Sequence, residues 1–271
     1  MTRPHLYLYD EGTARTLDIS QLAAYIRDRI GLTPVVRGGL LAHFAPSAQA
    51  QHLLAERIAN LKVRDVNRPF APPNAIYGEI EFERRRLAGG DRGPFGILYD
   101  GFLFQALLRD LLPREEAGLA HLHISFTNRT LGTWQEDDLR YHLRTILLGQ
   151  PALISTSGLV EAPAKPREFY AAQQAIGCAA REELTQALLK EQFKGRFLAH
   201  DDPRLTEVAK GFVMQAIFYQ WAGEGFCPDR DCRLFNAHWQ EELLHSQLES
   251  PREFCPRHEE LIARLKRSAE V

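Results

Sequence analysis

The sequence predicts an α+β fold, and the order of its patterns is the reason. Strand-like runs such as His5 to Tyr9 and Leu119 to Phe126 occur up to Thr156, interleaved with a few helical stretches. From Pro166 onward, apolar residues recur only at helical spacing. A third observation concerns the C-terminal part, where Cys227 and Cys232 bracket a short turn rich in Pro and Asp and Cys255-Pro-Arg-His258 follows later. At 271 residues and 45% hydrophobic content the chain can bury a large core. An N-terminal α/β portion over 1–66 and a second portion over 67–271 are expected to form one compact unit.

Taken in order, His5 to Tyr9 reads as a strand, and Asp18 or Ser20 caps a helix running to about Ile30. Thr33 to Val36 reads as the next strand, and Ser47 caps a helix over Ala48 to Leu61, rich in good helix formers. Pro69, Pro72 and Pro73 mark a loop. Ala75 to Phe82 then alternates like a strand ending in Glu83-Arg-Arg-Arg86, a solvated charged end with anion binding as the minor alternative. Gly89 to Pro94 is a turn too irregular for a phosphate-binding fingerprint. Leu98 to Leu112 is an amphipathic helix stopped by Pro113.

Leu119 to Phe126 alternates strongly, so His121 and His123 share one face, either a functional surface or the polar side of a half-buried strand. Thr127 to Trp134, with Glu136 to Asp138, reads as a polar turn. Leu139 to Leu148 and Pro151 to Thr156 follow as strands, and Ser157 to Pro166 as an extended loop forming a rim. Helices are expected over Glu168 to Lys190, with Cys178 inside, and over Leu205 to Ala222, stopped by Gly223 and Gly225. His238 to Leu248 and Glu259 to Arg267 complete the chain.

Lys and Arg number 33 against 35 Asp and Glu, so no global field recruits nucleic acid or an anionic membrane. No apolar run is long enough to span a membrane, and the first ten residues lack a signal-peptide core. Four cysteines, with Cys178 isolated, make a poor disulfide framework in a chain this size. A reducing, cytoplasmic location is expected. The composition leaves open a small-molecule or peptide ligand and says nothing of oligomeric state.

The paired cysteines point to metal instead. Cys227 and Cys232 can converge on one point, and Cys255 with His258 forms a second knuckle, so together they offer a Cys3His set suited to closed, structural zinc. His238 is the rival fourth ligand. The bland alternative is three buried free thiols packing as small apolar groups.

Gly223, Cys227, Cys232, Cys255 and His258 also carry a resemblance. From about Leu98 the chain is similar to the archaemetzincins, zinc metallopeptidases of the metzincin group, whose pattern is H-E-x-x-H-x-x-G-x-x-H-C-x4-C-x-M followed by C-x2-C. The similarity covers the second half of that pattern, with a longer spacer before the closing pair. The three metal-binding His positions hold Ala216, Gln220 and Phe226; the general-base Glu position holds Ile217, and the Met position Leu234. The resemblance therefore implies a metzincin-like mixed sheet with packed helices and a C-terminal zinc-knuckle region. It also implies a divergent branch without the usual peptidase chemistry, a pseudoenzyme.

Relocated chemistry is the competing expectation. His238, Glu242 and His245 stand at i, i+4 and i+7, one face of a single helix, and could hold a second divalent metal with help from His121, His123 or His142. A metal-dependent hydrolase of peptidase or amidase type would result; a solvated helix face is the plainer reading. Arg129, Arg140, Arg144 and Lys165 are candidate clamps for a carboxylate or phosphate. Ser155 and Ser157 lack a recognisable nucleophile elbow. A zinc-stabilised interaction module is the third expectation.

Overall fold

β1 (His5–Asp10) pairs in parallel with β2 (Val35–Gly38) on one side and β4 (His121–Thr127) on the other. In this computed structural model, which describes residues 4–12, 14–72, 74–89, 96–176, 188–189 and 191–269, β8 (Ala152–Ser155) continues the sheet in parallel. The edge strand β7 (Ile146–Leu147) closes it antiparallel, giving the order β2-β1-β4-β8-β7. A second sheet sets β3 (Leu98–Asp100) parallel to β5 (Thr130–Gln135), which pairs antiparallel with β6 (Arg140–Arg144). Residues before and after position 67 thus share the main sheet.

Side chains of successive strand residues point to opposite faces, and here both faces are buried. Leu6 and Leu8 join Leu122, Ile124 and Phe126 in a core built with α1 (Ile19–Ile30) and the long helix Leu205–Ala222. Tyr7 and Tyr9 point the other way, into a core with α2 (Leu40–Phe44), α3 (Ala48–Ala59) and the helix Gly101–Arg109. Asp18 caps α1 by accepting from Gln21 N–H, and Ser47 caps α3 through Ala50 N–H, both at expected positions.

Further α-helices among the described residues are α4 (Tyr77–Leu87), α5 (Gly101–Arg109), α6 (Thr156–Glu161), α7 (Arg167–Ile176), α8 (Leu205–Ala222), α9 (Gln240–Leu244) and α10 (Pro256–Ala269). The fold is mixed α+β, as the sequence predicts. Among the described residues no helix is long and apolar enough to cross a membrane.

Several segments differ from expectation, among them the start of the helix expected at Leu98, where Leu98–Asp100 is strand β3. Tyr77–Leu87 is a helix, not a strand: Glu79 accepts from Ile76 N–H at its start, Arg84 pairs with Glu81 one turn away, and Glu83 points inward. Thr130–Gln135 is a strand rather than a turn, with Gly132 needed where a Cβ would meet Leu98 Cδ1 at 2.9 Å. Thr156–Glu161 is a buried helix rather than a rim loop, capped by Ser155, whose Oγ accepts from Gly158 N–H at 2.7 Å. The helix expected over Glu168 to Lys190 begins as α7; its part around Cys178 lies outside the described residues, as does most of the Gly89 to Pro94 turn.

Candidate metal centre and adjoining cleft

α8 ends at Gly223, which adopts φ +76°, a left-handed conformation that glycine takes without strain. The loop beyond it folds on itself: Cys227 N–H donates to Leu234 O, Cys232 N–H to Asp229 O, and Phe235 N–H to Cys232 O. Asp229 N–H donates to Cys227 Sγ at 3.4 Å. Cys255 stands at the head of α10, its carbonyl accepting from His258 and Glu259 N–H, so Cys255 and His258 face one way a turn apart.

These four residues are buried, and their ligand atoms all lie within 4.8 Å of one another. The Sγ atoms of Cys227 and Cys255 are 3.9 Å apart, and His258 Nδ1 is 3.6 Å from Cys232 Sγ and 3.0 Å from Cys255 Sγ. Tetrahedral zinc bonds of ordinary length imply edges of about 3.8 Å between sulfurs and about 3.6 Å from sulfur to nitrogen. The first two distances fit, and the third fits after opening by about 0.5 Å. Burial pushes the Cys232 thiol up to about 12 and raises that of Cys227; a dication in their midst reverses this by stabilising thiolates. The donor set therefore suits a metal ion. The other ring nitrogen of His258, Nε2, is buried without a hydrogen-bond partner, and the ring meets Phe218 edge-on at 5.2 Å.

His238 is not part of this group. It belongs to the loop before α9 and lines a cleft of about 440 Å³ together with Asp138, His142, Arg144, Gln215 and Phe226. Nor do His238, Glu242 and His245 share a helix face. The Glu242 carboxylate accepts from the backbone N–H groups of His238 and Trp239, capping α9 from within. His245 opens a π-helical turn over His245–Glu249 and pairs with Asp231 at 2.6 Å. The i, i+4, i+7 geometry fails because the chain is a loop at its first member and changes period at its last.

His121 and His123 do share a face, yet it is packed rather than open. Tyr7 Oη lies 3.2 Å from His121 Nδ1 and Tyr9 Oη 2.8 Å from His123 Nδ1, while His123 Nε2 lies 3.0 Å from Glu116 O. Both nitrogens of His123 are thereby engaged. Burial holds its pKa down to about 4. Arg37 lies over the Tyr7 ring, donates to Tyr9 Oη, and forks onto Glu116. Neither a metal surface nor a solvated strand face describes this arrangement.

The anion clamps divide. Arg129 is buried between Glu11 and Glu83, each at 3.3–3.4 Å, and acts in the core. Arg140 is exposed near Asp138, and Lys165 pairs with Glu161 while lying over the Phe169 ring. Only Arg144 lines the cleft. His142 does too, paired with Asp138 at 2.6 Å. Ser155 and Ser157 donate to the carbonyls of Arg129 and Asn128, so neither hydroxyl is placed to attack a substrate.

The positions aligned with the three His and the Glu of the metzincin pattern hold no imidazole and no carboxylate. Ala216 and Ile217 are buried in the core, and Gln220 Nε2 donates to Leu119 O. Phe226 is exposed in the cleft wall and Leu234 is buried. Sequence reasoning missed Gln215, a buried amide on an otherwise apolar helix face, and Asp138, one helical spacing before His142. A lone polar residue in an apolar stripe was the available signal for the first.

No curated protein and no solved structure matches the chain. A family model described as "Probable metallopeptidase family (DUF6775)" matches residues 2–265, nearly the whole length, and the chain belongs to that family.

Proposed function

We propose that this protein is a metzincin-like member of its family in which Cys227, Cys232, Cys255 and His258 hold a structural zinc ion and the peptidase centre has been lost. The cleft beside α8 is then a binding site rather than a hydrolytic one. The observation that carries the reading is chemical: where the matched pattern needs three imidazoles and a carboxylate, this chain has Ala216, Gln220, Phe226 and Ile217. Ala, Ile and Phe offer no ligand atom, and a neutral amide is a poor zinc ligand.

Four protein ligands leave no open position, which is the character of a structural rather than a catalytic zinc. Soft thiolates favour zinc over oxygen-seeking cations and fit a cytoplasmic, reducing setting. Bound there, the ion ties the loop after α8 to the first turn of α10, which the Arg257–Glu224 pair also joins. The cleft accepts a small molecule or peptide end.

A second reading, a metal-dependent hydrolase with relocated ligands, has one observation in its favour: His142 and His238 line the same cleft. Elemental analysis of protein purified without added metal separates the two. One zinc per chain, lost with thermal stability in Cys227→Ser, together with no peptide turnover, supports the first. Two metals, one surviving in Cys227→Ser, with turnover abolished by His238→Ala, would establish the second.

A further inference from the structure

Arg144 is fixed at three points. Its backbone pairs with Leu131 across the small sheet, its carbonyl is approached so closely by α6 that a Cβ on Gly158 would stand 2.2 Å from it, and its Nε donates to Thr133 Oγ1 at 2.7 Å. Arg144 is also one of the residues lining the cleft. Other well-covered arginines have their charged end engaged, most of them by a carboxylate: Arg37 has Glu116, Arg129 has Glu83, Arg204 has Asp202 and Arg233 has Glu207, while Arg86 donates to Tyr99 Oη and Asn128 Oδ1. Among the described residues no carboxylate pairs with Arg144, and burial lowers its pKa with no opposing charge. A half-buried guanidinium held rigid and left without an anion is unfavourable in isolation and well prepared for one.

A second group in the same cleft has the opposite need. Gln215 is 1% exposed on α8; its Nε2 reaches Phe235 O only at 3.4 Å, and its Oε1 has no partner. Exchanging the amide's two ends would set oxygen against oxygen, so the acceptor is the unsatisfied end. Asp138, the carboxylate lining the cleft, is already engaged by His142. Phe212, Phe226 and Phe235 give the cleft an apolar wall, and about 440 Å³ suits a ligand of one to three residues' size.

We propose that the cleft binds a carboxylate-bearing ligand with an amide N–H and an apolar side chain, Arg144 taking the carboxylate and Gln215 accepting from the N–H. An N-acylated amino acid and the C-terminal residue of a short peptide share this chemistry. The assignment rests on the cleft being a binding site, as argued above, and supplies its ligand class.

The test is calorimetric titration of the protein, metal bound, with N-acetylphenylalanine, with its primary amide, and with acetyl-Ala-Ala-Phe. The acid should bind about tenfold or more tightly than the amide, the scale of charge-assisted bonds from a guanidinium. Arg144→Met should remove that preference and Arg144→Lys should keep part of it. Tighter binding of the tripeptide identifies a peptide C-terminus as the source, and equal or weaker binding a free acylated amino acid; either supports the proposal. Equal affinity for acid and amide, no heat from the acid at millimolar concentration, or an undiminished preference in folded Arg144→Met overturns it. The acid-against-amide contrast needs no variant and decides the matter if Arg144→Met does not fold. Mass spectrometry of the tripeptide after incubation separates the two levels: hydrolysis with a second metal overturns the function proposed above, whereas intact peptide without acid preference overturns only the ligand class.

Discussion

The side-chain amide of Gln247 lies against the backbone of Gly211, so close that a Cβ on Gly211 would stand 2.0 Å from Gln247 Oε1. The amide cannot swing away freely, because it is 3% exposed and its Nε2 donates to Arg233 O at 2.8 Å. Arg233 follows Cys232 of the Cys3His group directly, so this contact braces the Cys227 to Cys232 loop against α8. Gly211→Ala should therefore destabilise the protein by about 1–3 kcal/mol, despite the better helix propensity of Ala. Urea unfolding of Gly211→Ala, Gln247→Ala and the double variant checks this; simple additivity in the double variant would mean the contact carries no strain.

Glu83 sits fully buried among Lys62 at 3.2 Å, Arg129 at 3.3 Å and the Tyr99 hydroxyl at 2.6 Å. Removing one partner of a buried ionic group leaves the others as uncompensated charge. Glu83→Ala should cost about 3–5 kcal/mol, while Arg84→Ala, which breaks an exposed pair one turn along with Glu81, should leave stability nearly unchanged. Comparable effects from the two, measured by thermal unfolding, would mean the buried network is not formed.

That network also explains what the sequence hid. α4 reads as a strand because Ile80 and Phe82 alternate with glutamates, and because its inward-facing residue is a charged Glu83 rather than the apolar side chain a helical stripe would show. β5 reads as a turn because Gly132 and its polar neighbours resemble one; the glycine is there for close approach to Leu98 and His142. By contrast, β1, α1, α3 and α8 were legible, since each carries either a capping side chain or an unbroken apolar pattern.

The Cys3His grouping was legible for a different reason: short loops constrain where their thiols can go, so spacing alone brings Cys227 toward Cys232 and Cys255 toward His258. The cleft was not, because Arg144, Gln215 and His238 come from separate elements joined only by tertiary packing. His238, Glu242 and His245 looked like a ligand face because helical spacing was extrapolated through a loop and a π-helical turn.

His123 makes stability depend on pH. The hydrogen-bond chain runs from Arg37 N–H to Tyr9 Oη and from the Tyr9 hydroxyl to His123 Nδ1, while His123 Nε2–H donates to Glu116 O. A proton on Nδ1 would oppose the Tyr9 hydroxyl, and burial adds to that cost, holding the folded pKa down to about 4. The unfolded chain takes up this proton near pH 6.5, so unfolding binds a proton in the window between. Stability should be complete above about pH 6.5 and decline as pH falls toward 4, by up to about 3 kcal/mol from this group. Denaturation midpoints for the wild type and His123→Phe at pH 7.5, 6 and 5 check the sign; an equal decline in both proteins would assign the acid sensitivity to other groups.

The Cys3His centre predicts a sharp difference between two histidines. His258 Nδ1 faces the Sγ atoms of Cys232 and Cys255, whereas His238 lies in the cleft. His258→Ala should lower zinc content and stability together, by about 2–5 kcal/mol, the scale of losing a covalent staple from a domain. His238→Ala should leave both unchanged, since the residue is exposed and its anchoring contact to Ala164 is made by the backbone. A strong chelator should reproduce the effect of His258→Ala in the wild type and add nothing to that variant. If His238→Ala rather than His258→Ala released the metal, the fourth ligand would have to come from the cleft, and the boundary between metal centre and binding site drawn above would be in the wrong place.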